Sequence, residues 1–312
     1  MMQSKKLRVG YVNFSPDGKY IALGTNDGKL KIWDLASLKI VSRFDNMNYL
    51  NSIAFSKDLK IIASGCYEKD IEIKEVKTEK TIAVLKSSYN SYITSIAISL
   101  DKNFIASGNK IGIIEIWEIS TGKLVRNIQG HKMDVVSLAF SGDGKYIASG
   151  SKDNTIRLWE TGTGKELRKL ENCEYVQVEA LSFSPDNKYL AVGTRDRKIM
   201  LWDVKYGKIL WIIKGHNSKI KAVIFSPDGK YLISGSFDRT IKIWDVSNGN
   251  LVKTLIGHYQ SVNSLCFSAD GNYLLSGSDD SSLKIWNAQT GEELVAFVIF
   301  SDGEWVVMTP DG

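Results

Sequence analysis

The sequence has few of the residues on which disulfide, metal and acid–base chemistry depend. Among 312 residues there are three cysteines, three histidines and four prolines. Cys66, Cys173 and Cys266 are odd in number and far apart, so they build neither a disulfide framework nor a paired-cysteine zinc or redox site. This usage favours a reducing compartment, and we predict no metal site and no cofactor.

Long apolar runs and blocks of like charge are also missing. The N-terminal segment lacks the apolar stretch of a signal peptide, and the apolar run from Leu294 to Phe300 is too short to span a bilayer. The net charge of +5 comes from 40 basic and 35 acidic residues that are thinly spread. We therefore expect a soluble, cytoplasmic protein with no membrane partner and no nucleic-acid partner.

What the sequence does contain is one unit repeated seven times. The strings AFSGDGKYIASG from Ala139 and IFSPDGKYLISG from Ile224 are two of its copies. Each unit reads as four short strands separated by turns rich in glycine and aspartate, with no sustained helical pattern. Four strands in a unit of this length is the size of a propeller blade. An apolar marker residue recurs every 41 to 43 residues, at Phe14, Phe55, Ile98, Phe140, Phe183, Phe225 and Phe267.

The histidines and tryptophans give the unit a specific resemblance. In three units a histidine that follows glycine lies 28 residues before a tryptophan, and six of the seven units keep that tryptophan. Three units read Trp-Asp outright, at Trp33, Trp202 and Trp244. From Gly-His to Trp-Asp the unit resembles the WD repeat, over residues 8 to about 300. The resemblance implies an all-β fold, a seven-bladed β-propeller with four antiparallel strands per blade around one channel.

The repeat predicts one propeller domain over residues 1–300 and a C-terminal extension over residues 301–312. We expect Leu294 to Phe300 to be the fourth strand of blade seven, so that every blade takes its strands in chain order. The segment FSDGEWVVMTPDG, which begins at Phe300, does not fit an eighth unit. It resembles the stretch that joins WD-repeat arrays of multidomain bacterial proteins to a downstream domain. We interpret it as the start of such a connection.

A serine, a histidine and an aspartate recur together in blades four, six and seven, which suggests a hydrolase triad. In the WD-repeat family, however, these residues join the tryptophan in a buried structural tetrad. Three copies favour that structural interpretation, and the tetrads use every histidine, which leaves none for a general base or a metal ligand. We predict no catalytic residue. The tetrads are His131, Ser149, Asp153 and Trp159; His216, Ser234, Asp238 and Trp244; and His258, Ser276, Asp280 and Trp286.

Other blades depart from the tetrad pattern. Blades one and five have Leu23 and Val192 at the serine position, blade two has Lys74 at the tryptophan position, and blade three has Tyr89 at the histidine position. Drift in a redundant array explains these departures. A functional alternative is that blades two and three trade internal order for a tyrosine-rich surface.

In WD-repeat propellers the top face carries much of the partner binding, through three positions per blade. Carried over to this sequence, these positions include a basic arc on blades four to six, formed by Lys152, Arg195, Lys219 and Lys221. Aromatic and basic side chains are typical of interface hot spots. The alternative is that the lysines are simply solvated and the tyrosines cover blade edges. The partner-binding candidates are Arg8, Tyr49, Tyr67, Tyr92, Lys110, Lys152, Arg195, Lys219, Lys221 and Phe237.

The leading hypothesis is a non-enzymatic scaffold that binds a protein or peptide, of acidic character, on the top face. The alternative is a regulatory or sensor propeller of a multidomain bacterial enzyme or signalling protein. A catalytic propeller would need acidic or histidine ligands in the channel, and a nucleic-acid binder would need a continuous basic stripe. We expect a monomeric propeller that works within a larger protein or complex.

Overall fold

The computed structural model describes residues 7–15, 17–44, 52–56, 60–65, 70–170, 177–300 and 304–310. The described residues form 29 β-strands and no helix, in seven antiparallel sheets. Each sheet is one blade, and its first four strands follow in chain order. The prediction of an all-β, seven-bladed propeller is therefore confirmed. Among the described residues no helix is long and apolar enough to cross a membrane.

Each of the first four blades contains four strands. Blade one contains β1 (Val9–Phe14), β2 (Tyr20–Thr25), β3 (Leu30–Asp34) and β4 (Lys39–Phe44). Blade two contains β5 (Ser52–Phe55), β6 (Ile61–Gly65), β7 (Asp70–Glu75) and β8 (Thr81–Lys86). Blade three contains β9 (Ile93–Ile98), β10 (Phe104–Asn109), β11 (Ile113–Glu118) and β12 (Leu124–Gln129). Blade four contains β13 (Val135–Phe140), β14 (Tyr146–Ser151), β15 (Ile156–Glu160) and β16 (Glu166–Leu170).

The last three blades continue the same order, and the seventh has one additional strand. Blade five contains β17 (Val178–Phe183), β18 (Tyr189–Thr194), β19 (Lys198–Asp203) and β20 (Lys208–Lys214). Blade six contains β21 (Ile220–Phe225), β22 (Tyr231–Ser236), β23 (Thr240–Asp245) and β24 (Leu251–Ile256). Blade seven contains β25 (Val262–Phe267), β26 (Tyr273–Ser278), β27 (Ser282–Asn287), β28 (Glu293–Ile299) and β29 (Trp305–Met308).

The first strands of neighbouring blades lie beside one another around the central channel, and β25 of blade seven contacts β1 of blade one, which closes the ring. The second strands are the most buried, because sheets on both sides cover them. A glycine near the end of each second strand lets the next blade approach. A Cβ on Gly150 would lie 2.5 Å from Cγ1 of Val178, and one on Gly277 would lie 2.6 Å from Cγ1 of Val9. Only a residue without a side chain fits these blade contacts.

Five of the seven seams between blades are also joined by a side chain that we call the seam strut. In each case the strut is a residue of strand four. Its pairing partner on strand three is the residue that immediately precedes the tryptophan position. The strut donates a hydrogen bond to a backbone carbonyl in the strand-three to strand-four turn of the next blade. The five struts are Ser42 to Val76 (2.9 Å), Arg126 to Gly162 (2.8 Å), Arg168 to Lys205 (2.6 Å), Trp211 to Val246 (2.9 Å) and Lys253 to Thr290.

Blade seven differs from the others through β29. This strand pairs antiparallel with β28, with Trp305 opposite Ile299 and Met308 opposite Ala296. The Trp305 ring packs against Trp33 of blade one at a centroid distance of 6.1 Å and against Phe297 at 6.3 Å. β29 lies beyond the predicted boundary at residue 300 and adds a fifth strand to the sheet of blade seven. Its side chains Trp305 and Val307 pack against the apolar cluster that blades one and seven share.

Candidate functional site

The serine, histidine, aspartate and tryptophan of blade four lie in one hydrogen-bonded chain. Nε1–H of Trp159 donates to Oγ of Ser149 at 2.7 Å, and Oγ of Ser149 lies 2.7 Å from Nε2 of His131. Nδ1 of His131 lies 3.0 Å from Oδ2 of Asp153, which also accepts the backbone N–H of Lys132. Since the Ser149 oxygen accepts from the indole, its own hydrogen is directed to Nε2, and Nδ1–H donates to the carboxylate.

The same geometry recurs in blades six and seven. His216 lies 2.7 Å from Ser234 and 2.9 Å from Asp238, and the indole of Trp244 donates to Ser234. In blade seven, His258 contacts Ser276 and Asp280 at the same distances, and the indole of Trp286 donates to Ser276. The three serines have no exposed surface. A hydroxyl that a substrate cannot reach is not a nucleophile, so the geometry opposes the triad interpretation at these residues.

The tetrad carboxyls remain ionised far below the usual pH range. Burial opposes ionisation of Asp153, but hydrogen bonds from His131, Thr155 and the Lys132 backbone outweigh it and hold the pKa of that carboxyl well below its ordinary value. The pKa values of Asp238 and Asp280 are lowered in the same way, with burial again opposed by the histidine. Each tetrad is thus a hydrogen-bond network around a carboxylate that is ionised at neutral pH.

These lowered pKa values predict loss of stability in acid. A carboxyl whose pKa is lower in the folded chain stabilises the fold above its unfolded pKa of about 3.9 and loses that contribution as the pH falls toward the folded value. We expect the urea midpoint to decrease steadily below about pH 4. Urea titrations between pH 7 and pH 2 measure this. Asp153→Asn should start with a lower midpoint at pH 7 and lose less between pH 4 and pH 2, and equal slopes for the variant and the wild type would contradict the assignment.

In blades without a complete tetrad, replacement of one tetrad residue removes the hydrogen-bond partner of another. Within the described residues, the buried indole Nε1 atoms of Trp33 and Trp202 have no hydrogen-bond partner, because Leu23 and Val192 replace the serine. In blade two the hydroxyl of Ser64 has no hydrogen-bond partner in the described part of the chain, because Lys74 replaces the tryptophan. These orphan groups follow directly from the substitutions visible in the sequence.

Blade three uses a different anchor that the sequence did not indicate. Glu115 is 2% exposed, and its carboxylate accepts the Ser87 hydroxyl at 2.5 Å and the Ser88 backbone N–H at 2.9 Å. Tyr89, at the histidine position, accepts a hydrogen bond from Asn127 at its hydroxyl. A buried carboxylate therefore orders the loop that the histidine orders elsewhere. It was missed because glutamate inside a strand otherwise indicates an exposed position.

Four of the partner-binding candidates lie together at one mouth of the central channel. Arg8, Lys219, Lys221 and Phe237 line a cavity of about 530 Å³ there. Lys219 Nζ lies 5.0 Å from the centroid of the Phe237 ring, which is half exposed. Lysine over an aromatic ring that water also reaches is an arrangement found in binding sites for charged and aromatic groups.

Acidic side chains at the same mouth offset part of this charge. Lys221 forms an ion pair with Glu179 at 2.8 Å, and Arg8 lies 4.0 Å from Asp279. Glu179 and Asp279 also line the cavity. The channel mouth is therefore of mixed charge, and the pairing of Lys221 was not predicted.

Four other candidates lie outside this cavity. Lys152 forms an ion pair with Asp134 at 2.7 Å, and Arg195 donates to the side chain of Gln177 at 3.1 Å. Lys110 lies 4.7 Å from the ring centroid of Tyr92. Tyr49 and Tyr67 lie outside the described residues, so the tyrosine-rich surface on blades two and three stays a prediction. In the basic arc, two of the four cations carry their own acidic partner.

The opposite mouth of the channel has a different lining. Its cavity, also of about 530 Å³, is bordered by marker residues of blades two to six, namely Phe55, Ile98, Phe140, Phe183 and Phe225. The channel thus has one mouth with charged side chains and one whose described lining mixes apolar side chains with uncharged polar ones. In the described part of the chain no group of three or more histidine, cysteine, aspartate or glutamate side chains is arranged to hold a metal ion.

Comparison with family models agrees with this architecture. The model for the second β-propeller of echinoderm microtubule-associated protein matches residues 148–310, more than half of the chain. The model for the WD domain, G-beta repeat, matches residues 4–34 and 122–160. The chain belongs to the WD-repeat β-propeller family. WD-repeat propellers are typically platforms for protein interaction and are generally non-catalytic. The longer match in this WD-repeat propeller extends through β29, so the fifth strand lies within the matched region.

Proposed function

We propose that this WD-repeat propeller is a non-enzymatic interaction platform that binds a protein or peptide on the face where Arg8, Lys219, Lys221 and Phe237 surround the channel. The observation that supports this most directly is the cavity at that mouth, where aliphatic, aromatic and charged side chains converge on a rigid ring of strands. Loops and strand ends on a rigid scaffold are where binding residues concentrate. A concave opening of this size accepts one or two side chains of a partner.

The two unpaired cations of the basic arc favour a partner with acidic groups. Within the described residues, Lys219 and Arg195 are in no ion pair, whereas Lys152 and Lys221 each contact a carboxylate. A partner carboxylate near Lys219 would gain a charge-assisted hydrogen bond without displacing an existing one. The exposed face of the Phe237 ring would contact an apolar or aromatic neighbour of that carboxylate.

Charge reversal on this face tests the proposal. We expect Arg195→Glu, Lys219→Glu and Lys221→Glu, combined in one variant, to raise the partner Kd by at least about tenfold in 50 mM salt and by less in 500 mM salt, because salt screens exposed charges. The partner is captured from an extract of the source cells with the wild type, identified by mass spectrometry, purified, and titrated against each variant.

A matched control lies on the opposite face. Lys145, Lys188 and Lys230 are each within 3.7 Å of the aspartate of their own turn. Reversing these three lysines makes the same change in net charge far from the proposed surface, and the Kd should remain within about twofold. If both triple variants weaken binding equally, or neither does at unchanged melting temperature, the proposed surface is wrong.

A further inference from the structure

The seam between blades seven and one lacks a strut. The equivalent position on β28 is Val295, which pairs with Ile285 and has no hydrogen-bonding side chain. At the strutted seams from blade one to two and from blade five to six, the acceptor is the carbonyl two residues after the tryptophan position, at Val76 and Val246. The corresponding residue in blade one is Leu35. The side chain that would reach across to it is absent.

A cavity of about 490 Å³ lies at this seam. Cavities of about 470 Å³ and 930 Å³ also lie at the seams from blade five to six and from blade one to two, but there Trp211 and Ser42 reach across to the next blade. The walls at the open seam are largely apolar and belong to both blades: Phe14, Leu35, Tyr273, Ile285, Leu294 and Val295.

Two carboxylates, Asp17 and Asp270, also line this cavity, one from each blade. In the equivalent turns of blades four, five and six, the aspartate has a lysine within 3.7 Å. Neither Asp17 nor Asp270 is in an ion pair within the described residues. Hydrogen bonds from Ser15 and Ser268 lower the pKa values of these two carboxyls, so both are ionised at neutral pH. The open seam therefore has on its rim two ionised carboxylates, one from each blade, that are in no ion pair within the described residues.

We propose that this cavity binds a lysine or arginine side chain of an extended partner segment, as an external seam strut. Three other seams already have a cationic strut of this kind, namely Arg126, Arg168 and Lys253. Each has an aliphatic stem that lies along its own blade and a cationic group that donates to the turn of the next blade. At the open seam the partner stem packs on Leu294, Val295 and Leu35. Its cationic head lies between Asp17 and Asp270 and donates to the Leu35 carbonyl.

This site is separate from the charged channel mouth. Asp17 and Asp270 are in the turns between strands one and two, at the opposite ends of β1 and β25 from Arg8 and Ser261. The two proposals therefore have independent variants. Loss of binding at one site leaves the other testable.

A library of phage-displayed random heptapeptides, selected on the wild type and depleted on Val295→Arg, tests the seam site. Arginine at position 295 supplies the missing strut from within the chain and blocks the cavity. We expect the selected peptides to contain lysine or arginine beside an apolar residue. Synthetic copies, measured by fluorescence anisotropy, should bind Val295→Arg at least tenfold more weakly than the wild type, and replacing their cation with glutamine should have the same effect.

A second variant keeps the test independent of how Val295→Arg folds. Asp17→Asn combined with Asp270→Asn leaves the cavity open and removes its charge, and it should weaken the same peptides about tenfold in 50 mM salt. The matched control is Asp143→Asn with Asp228→Asn, in turns where lysine already compensates the carboxylate, and here the affinity should stay within about twofold. No enrichment, enrichment of peptides without a cation, or equal weakening by both aspartate pairs would overturn the proposal.

Discussion

Replacing Ser276 with alanine is expected to lower the free energy of unfolding by about 2–4 kcal/mol. The hydroxyl of Ser276 accepts the indole N–H of Trp286 and lies 2.7 Å from Nε2 of His258, and all three groups are buried. Alanine leaves both partners without a hydrogen bond, and each unsatisfied buried group costs about 1–3 kcal/mol. Urea denaturation followed by tryptophan fluorescence measures the change.

The chain contains its own control for this result. Ser64 of blade two is at the equivalent position, equally buried, but its hydroxyl has no hydrogen-bond partner among the residues that the structure describes. Ser64→Ala removes an orphan polar group, so the free energy of unfolding should be unchanged or should rise by about 1 kcal/mol. A loss in Ser64→Ala as large as that in Ser276→Ala would show that the effect comes from the position and not from the hydrogen-bond network.

Replacing Trp305 with alanine is expected to cost about 2–3 kcal/mol. Removing a large aromatic side chain from a core costs about 3–5 kcal/mol, and Trp305 is only partly buried, so the expected loss is smaller. The variant uncovers Trp33 and Phe297 at the seam between blades one and seven. Besides the urea midpoint, amide hydrogen exchange should accelerate in β28 and β3, because both strands lose the ring that packs across the seam.

Met308 provides the comparison within the same strand. Its side chain is 43% exposed, and its backbone pairs with Ala296 in the same ladder. Met308→Ala should cost less than about 0.5 kcal/mol and should leave hydrogen exchange in β3 unchanged. If the two variants were equally destabilising, the contribution of β29 would come from strand pairing alone and the seam contact of Trp305 would be unimportant.

The fold could be predicted from the sequence because the same residue pattern repeats along the chain. The markers from Phe14 to Phe267, the turns and the Trp-Asp pairs repeat in register, so the blade number follows from counting. The residues of each tetrad could be named from the resemblance to the WD repeat, and in the structure these twelve residues form three networks with matching distances.

The contacts between blades could not be predicted, because they have no common residue type. Serine, arginine, tryptophan and lysine all serve as seam struts, and they share only a backbone register that appears when the strands are paired. The ion pair of Lys221 with Glu179 joins positions 42 residues apart in adjacent blades. Trp305 lies outside the periodic unit, so the period did not predict its contact with Trp33.

The position of β29 also sets the order in which the ring can be completed during protein synthesis. Blades one to six take all their strands in chain order, so each can pair its strands and pack on the preceding blade as it leaves the ribosome. The seam between blades seven and one cannot form in this stepwise way. Val9 packs against Gly277 and Trp33 packs against Trp305, and both of these partners are synthesised much later. At a synthesis rate of about 5–20 residues per second, the apolar side of blade one remains uncovered for roughly 15–60 seconds. The nascent chain is therefore most vulnerable to aggregation at its oldest blade, and a chaperone that covered that blade would have to leave before the last strand could dock.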